Sequence, residues 1–114
     1  MLNTSSAAAF QREPARPAHA AAKAGVGALT PHVATRWGRE GIRCNAVAPG
    51  FTATETMRSA PQWPDLQAGA LRRMHSPRVG DTDDVAALVA FLISDHGARI
   101  NGHVLNIDGG TVLC

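Results

Sequence analysis

Apolar residues recur at three- and four-residue intervals from Ala18 to about Arg39, where Ala22, Val26, Leu29, Val33 and Trp37 form one stripe. That spacing predicts a long amphipathic helix. Pro17 suits its first turn, where a missing amide hydrogen costs nothing, and Gly38 and Gly41 bracket its end. The run Ala20-Ala21-Ala22-Lys23-Ala24 forms helix readily and has little bulk, so it permits close packing. Gly25 and Gly27 weaken a helix, which implies backbone approached closely by something else, and Pro31 is expected to kink it. Ile42 to Val47 then alternates as a short strand, with Ile42, Cys44 and Ala46 on one face and Arg43, Asn45 and Val47 on the other. Pro49-Gly50 ends it. A second helix starts at Asp81 or Thr82, buries Val85, Leu88, Val89 and Leu92, and carries Asp83 and Asp84 at its amino end. Leu2 to Thr4 reads as a first strand leading to Ser5-Ser6, and Val104 to Ile107 as a last one closed by Asp108-Gly109-Gly110. Phe51 to about Pro64 has no periodicity and reads as an irregular lid, with a short helix expected within Asp65 to Met74.

Strand, helix, strand, helix, strand at this spacing predicts a single α/β domain over residues 1–114 with about three parallel strands. Such a sheet wants helices on both faces and only two principal ones are offered, so the expectation is part of a larger fold. A helix followed by a strand ending in a Pro-Gly loop is how an α/β sheet builds a ligand site at its carboxyl edge.

Composition narrows the function classes. A net charge of +2, with no basic cluster denser than Arg72-Arg73, argues against nucleic acid and anionic membrane as partners. No apolar run approaches the roughly 18 residues of a membrane span, and Met1-Leu2-Asn3 does not open a signal peptide, so a cytoplasmic setting is expected. Cys44 and Cys114 make no disulfide framework. His75, His96 and His103 with Asp108 lack metal-ligand spacing, so no metal is expected. Asp81 and Asp84 read as helix-capping residues, Trp37 as packing and Trp63 as part of the lid.

The chemistry centres on His19 and Lys23, four apart and therefore on one helix face. A titratable ring beside an ammonium group suits acid–base work and can hold a ligand hydroxyl. Ser6, at the end of the preceding strand, could donate to a substrate oxygen at the same place. The alternative is a surface histidine near a helix start beside a solvated lysine.

Four segments together, Asn3-Thr4-Ser5-Ser6, His19-Ala20-Ala21-Ala22-Lys23-Ala24-Gly25, Gly41 to Gly50 and Gly102 to Gly110, resemble the carboxyl-terminal half of a short-chain dehydrogenase/reductase. The resemblance covers practically the whole chain, in order. It implies a partial Rossmann-like fold with the long and second helices on opposite faces, and NAD- or NADP-dependent oxidoreduction of an alcohol or carbonyl substrate. By the resemblance Ser6 orients the substrate oxygen and Lys23 holds the nicotinamide ribose. Pro49, Gly50 and Thr54 wrap the nicotinamide and pyrophosphate side, and the long helix contributes to a homo-oligomer. Two departures stand out. His19 occupies the family's catalytic tyrosine position in a chain with no Tyr. The family's glycine-rich pyrophosphate turn has no counterpart here, since Gly25-Val26-Gly27 lies inside a helix. Impaired catalysis follows as an expectation, with a catalytically inactive structural or oligomerising partner as the alternative.

Overall fold

The computed structural model describes residues 1–11 and 14–113; Arg12 and Glu13 of the polar loop, and Cys114, lie outside the described residues. Three strands, β1 (Leu2–Thr4), β2 (Asn45–Pro49) and β5 (Val104–Ile107), form a parallel sheet in the order β1-β2-β5. Leu2 pairs with Asn45, and Ala46 with Val104. The central strand is buried through four of its five residues, which is what a strand covered on both faces requires.

Helix α1 (Pro17–Trp37) lies on one face and α4 (Thr82–Ile93) on the other. Successive residues of β1 show this, because neighbours on a strand point oppositely. The Asn3 side chain donates to Thr30 Oγ1 of α1 at 3.1 Å, whereas Leu2 lines a hollow with Leu92 and Ile93 of α4.

The stripe expected on α1 is buried only in part, through Val33 and Val26. Thr30, Val33 and Ala34 are buried and Lys23, Val26 and Gly27 half-buried, while Ala22, Leu29 and Trp37 are exposed. On the sheet-facing side Val33 and Ala34 pack with Cys44, and the polar residues find polar partners. Thr30 donates to Val26 O at 3.0 Å while accepting from Asn3. Ser5, also buried, donates to Lys23 O at 2.8 Å and latches the helix to the end of β1. Pro31 sits inside a continuous helix rather than breaking it. Nothing approaches within 4 Å of where a Gly25 side chain would begin, so the close approach expected there is absent; Gly27 makes ordinary contact with Val104 and Ser5.

Strand β2 starts three residues later than the alternation suggests. The Ile42 amide is taken by Trp37 O and the Cys44 amide by Asn101 Oδ1, so the ladder begins at Asn45. Arg43, expected on a strand face, turns back instead. Its guanidinium donates to the carbonyls of Leu92, Gly97 and Ile100 at 3.0, 3.0 and 3.2 Å and closes the carboxyl end of α4. Buried Asn45 donates to Ile100 O at 2.7 Å and accepts from the His103 amide at 3.1 Å.

The segment expected to be irregular is partly regular. Thr52–Ala53 (β3) pairs in parallel with Gly80–Asp81 (β4), and Thr54 caps a short helix α2 (Glu55–Arg58). Helix α3 (Trp63–Leu71) follows. Trp63 stacks on Phe51 with ring centroids 6.4 Å apart and packs on a small core of Ala53, Ala70, Met74 and Val79, so it holds this subdomain together. Helix α4 has the expected start: Asp81 is its N-cap and Asp84 Oδ2 accepts from the Asp81 amide at 2.8 Å, a reciprocal capping box.

Candidate functional site

The carboxyl ends of the three strands meet beside α1 and the β3–β4 subdomain, and a cavity of about 370 Å³ opens there. Ser6, Pro49, Gly50, Phe51 and Met57 are among its lining residues. Of the residues singled out from the sequence, Ser6, Pro49 and Gly50 therefore share one cavity, whereas His19, Lys23 and Thr54 do not line it.

Each position follows from local structure. Ser6 leaves β1 in extended backbone and caps the turn Ala7–Ala9, its Oγ accepting from the Ala8 amide at 3.2 Å. A hydroxyl that accepts in this way still carries its own hydrogen to donate. Lys23 lies half-buried on α1 and donates from Nζ to Thr4 O at 2.8 Å, which fixes the ammonium at the carboxyl end of β1. It has three donors, and Thr4 O is its one protein acceptor among the described residues. His19, one turn earlier, is exposed.

Gly50 has a structural reason to be glycine. A Cβ there would lie 2.6 Å from Asp108 Cβ and 2.7 Å from its Cα, so only a bare backbone lets β2 leave the sheet past the end of β5. Buried Asp108 in turn accepts from the amides of Gly110 and Val112 at 3.0 and 2.8 Å and holds the following turn. Thr54 Oγ1 accepts from the Met57 amide at 3.3 Å as the cap of α2.

A second hollow of about 280 Å³ lies across β3–β4, where Arg78 meets Asp84 through two bonds of 2.7 Å. That guanidinium, together with the Asp81 amide, holds the Asp84 carboxyl well below the usual carboxylate range and tightens the proton on Arg78. Hydrogen bonds from Thr82 and the Asp83 amide, with Arg58 nearby, lower Asp81. These carboxylates are occupied in capping α4. Among the described residues no group of three or more His, Cys, Asp or Glu could hold a metal ion, and no helix is long and apolar enough to cross a membrane.

Sequence reasoning missed Arg16 and Arg73, which both line the first cavity. The adjacent pair Arg72-Arg73 was the available signal, but nothing in its spacing pointed towards β2. It also missed Asn3 and Ser5, whose side chains bind α1.

Comparison with known proteins decides the lineage of this arrangement. The family model described as enoyl-(acyl carrier protein) reductase matches residues 1–112. A probable short-chain type dehydrogenase/reductase of Bradyrhizobium diazoefficiens is 44% identical over 110 residues. The chain belongs to the short-chain dehydrogenase/reductase family. The match covers 96% of this chain and 39% of the Bradyrhizobium protein, so the chain spans less than half of that relative's length. Solved dehydrogenases share the fold. A 4-hydroxyisoleucine dehydrogenase complexed with NADH gives a TM-score of 0.85 at 29% identity, over 97% of this chain and 45% of that one. A short-chain dehydrogenase from Burkholderia cenocepacia J2315 in complex with NADP gives 0.84 at 36% identity, over 96% and 44%. The α/β architecture with parallel strands is thus a short-chain dehydrogenase one, and members of the family bind nicotinamide dinucleotides.

Proposed function

We propose that the carboxyl edge of β2 is the nicotinamide-facing part of an NAD- or NADP-dependent oxidoreductase site for an alcohol or carbonyl compound, with impaired turnover in this chain. The reading rests on one observation. Ser6, Pro49 and Gly50 share a cavity, and the Lys23 ammonium hangs from Thr4 O at the same sheet edge.

The residues present fit the nicotinamide end of such a cofactor. Lys23 keeps donors for ribose hydroxyls, and Pro49 and Gly50 offer a wall without bulk. Thr54, just beyond, adds a hydroxyl whose hydrogen is not used by its capping role. When bound, the dinucleotide supplies or accepts the hydride. Ser6 donates its hydroxyl hydrogen to the substrate oxygen and so fixes the reacting carbon. The proton must come from or go to His19, the residue at the family's tyrosine position, and here the chain is weak. An imidazole is shorter than a phenol, so its nitrogen falls short of where the family's phenolic oxygen would stand. A displacement of about an ångström costs on the order of 100-fold in rate.

His19→Tyr tests this. Turnover of a panel of ketones with NADH and NADPH is expected to rise by about 100-fold; an unchanged rate with cofactor bound would overturn the assignment of His19.

A second reading is a catalytically inactive, cytoplasmic family member that serves as a structural partner or self-associates through α1. What favours it is exposure: His19 lies off the cavity, Leu29 on α1 is 52% exposed, and β1 is an edge strand among the described residues. Leu29→Glu should then lower the mass seen by light scattering; a mass unchanged from that of the parent chain would count against it.

A further inference from the structure

The charged residues lining the cavity at the carboxyl edge of β2 are, among the described residues, Arg16 and Arg73, both cationic. Arg73 follows the carboxyl end of α3 and makes no ion pair among the described residues. The lining mixes apolar Phe51, Met57 and Met74 with polar Gln11, Thr52 and Thr111. This is an amphipathic lining: a hydroxyl donor, apolar side chains and an arginine share one cavity. Apolar side chains disfavour a strongly hydrated polyanion but accept a carbon chain. The planar guanidinium fork matches a carboxylate through two parallel hydrogen bonds.

We propose that the substrate of this site is an oxo or hydroxy acid whose carboxylate binds Arg73. The inference rests on the oxidoreductase reading for the end of the substrate at Ser6, and not for the end at Arg73. The recognition is independent of turnover.

The test is therefore a binding measurement on the chain, read from the fluorescence of Trp63, which stacks on the cavity residue Phe51. The probes are 5-oxohexanoate, its methyl ester and inorganic pyrophosphate. The acid is expected to bind about tenfold tighter than the ester, as a charge-assisted hydrogen bond supplies, and Arg73→Gln should remove that preference while leaving the ester unchanged. Equal binding of acid and ester, or an acid preference that survives in Arg73→Gln, would overturn the proposal. So would loss of pyrophosphate binding alone in that variant, which would assign Arg73 to a cofactor phosphate. If acid preference is present but no ketone turns over, the substrate inference stands and the oxidoreductase reading fails.

Discussion

The two ends of β2 use their polar side chains in different ways. At the amino end the polar side chains are turned onto the protein's own backbone. Arg43 spends its guanidinium on three carbonyls, Asn45 bonds on both sides of its amide, and the Cys44 amide is held by Asn101. At the carboxyl end the polar capacity is left partly unspent. Ser6 accepts one bond and keeps its hydrogen, Lys23 gives one of its donors to Thr4 O, and Arg73 lines the cavity. A polar group with all its capacity committed holds a fold together; one with capacity in reserve is available to a ligand. The family's chemistry is proposed for the second kind of end.

This contrast can be broken from either side. The largest stability loss is expected for Arg43→Met, which abandons three carbonyls at the end of α4 and should cost roughly 2–4 kcal/mol by urea unfolding. A loss under ~1 kcal/mol would mean that water replaces the guanidinium readily. Gly50→Ala comes next. Its new methyl would press on the Asp108 backbone, and overpacking of that kind costs about 1–3 kcal/mol. Ser6→Ala should sit at the other extreme, with a stability loss of about 0.5–1 kcal/mol from the lost cap but loss of whatever turnover the His19→Tyr background supports. Equal damage to stability from Ser6→Ala and Arg43→Met would erase the distinction between the two ends.

The smallest effect concerns pH. Asp84 titrates lower in the folded chain than in the unfolded one because Arg78 and the Asp81 amide favour its charged form. A carboxyl depressed in this way contributes stability above its unfolded pKa, and the contribution disappears as pH falls through the folded one. Melting temperature should therefore decline below the ordinary aspartate range, and Asp84→Asn should flatten part of that decline. The pair is exposed, so solvent screening keeps the change modest. An undiminished acid slope in Asp84→Asn would remove Asp84 from the explanation.

The order of strands and helices was legible because β2, β5, α1 and α4 each carry enough apolar or capping signal to declare themselves. Asp81 and Asp84 read correctly as caps since the capping box is a local pattern. What stayed hidden depended on partners distant in sequence. Thr30 and Lys23 look solvated until Asn3, Ser5 and Thr4 come within reach, so the stripe Ala22, Val26, Leu29, Val33 and Trp37 caught Val33 and Val26 of the buried side and missed Thr30. Arg43 looked like a strand residue because the carbonyls it closes lie about fifty positions later. Strands β3 and β4 are two residues each, too short for any alternation to show. Ser6, His19 and Lys23 were singled out by spacing and resemblance, and of the three Ser6 lines the cavity. Their division between cavity and helix surface could not be read in advance, because it depends on how α1 is rotated against β1.

The most direct measurement is a titration of the chain with reduced nicotinamide mononucleotide, the half of the cofactor that the carboxyl edge of β2 should hold, set beside the same titration of Lys23→Met. Saturable binding by the parent chain that disappears in the variant, at unchanged melting temperature, is the expected result. Binding that is the same in both chains, or absent from both, would contradict the claim that the unspent donors at this end of the strand await a nicotinamide ribose.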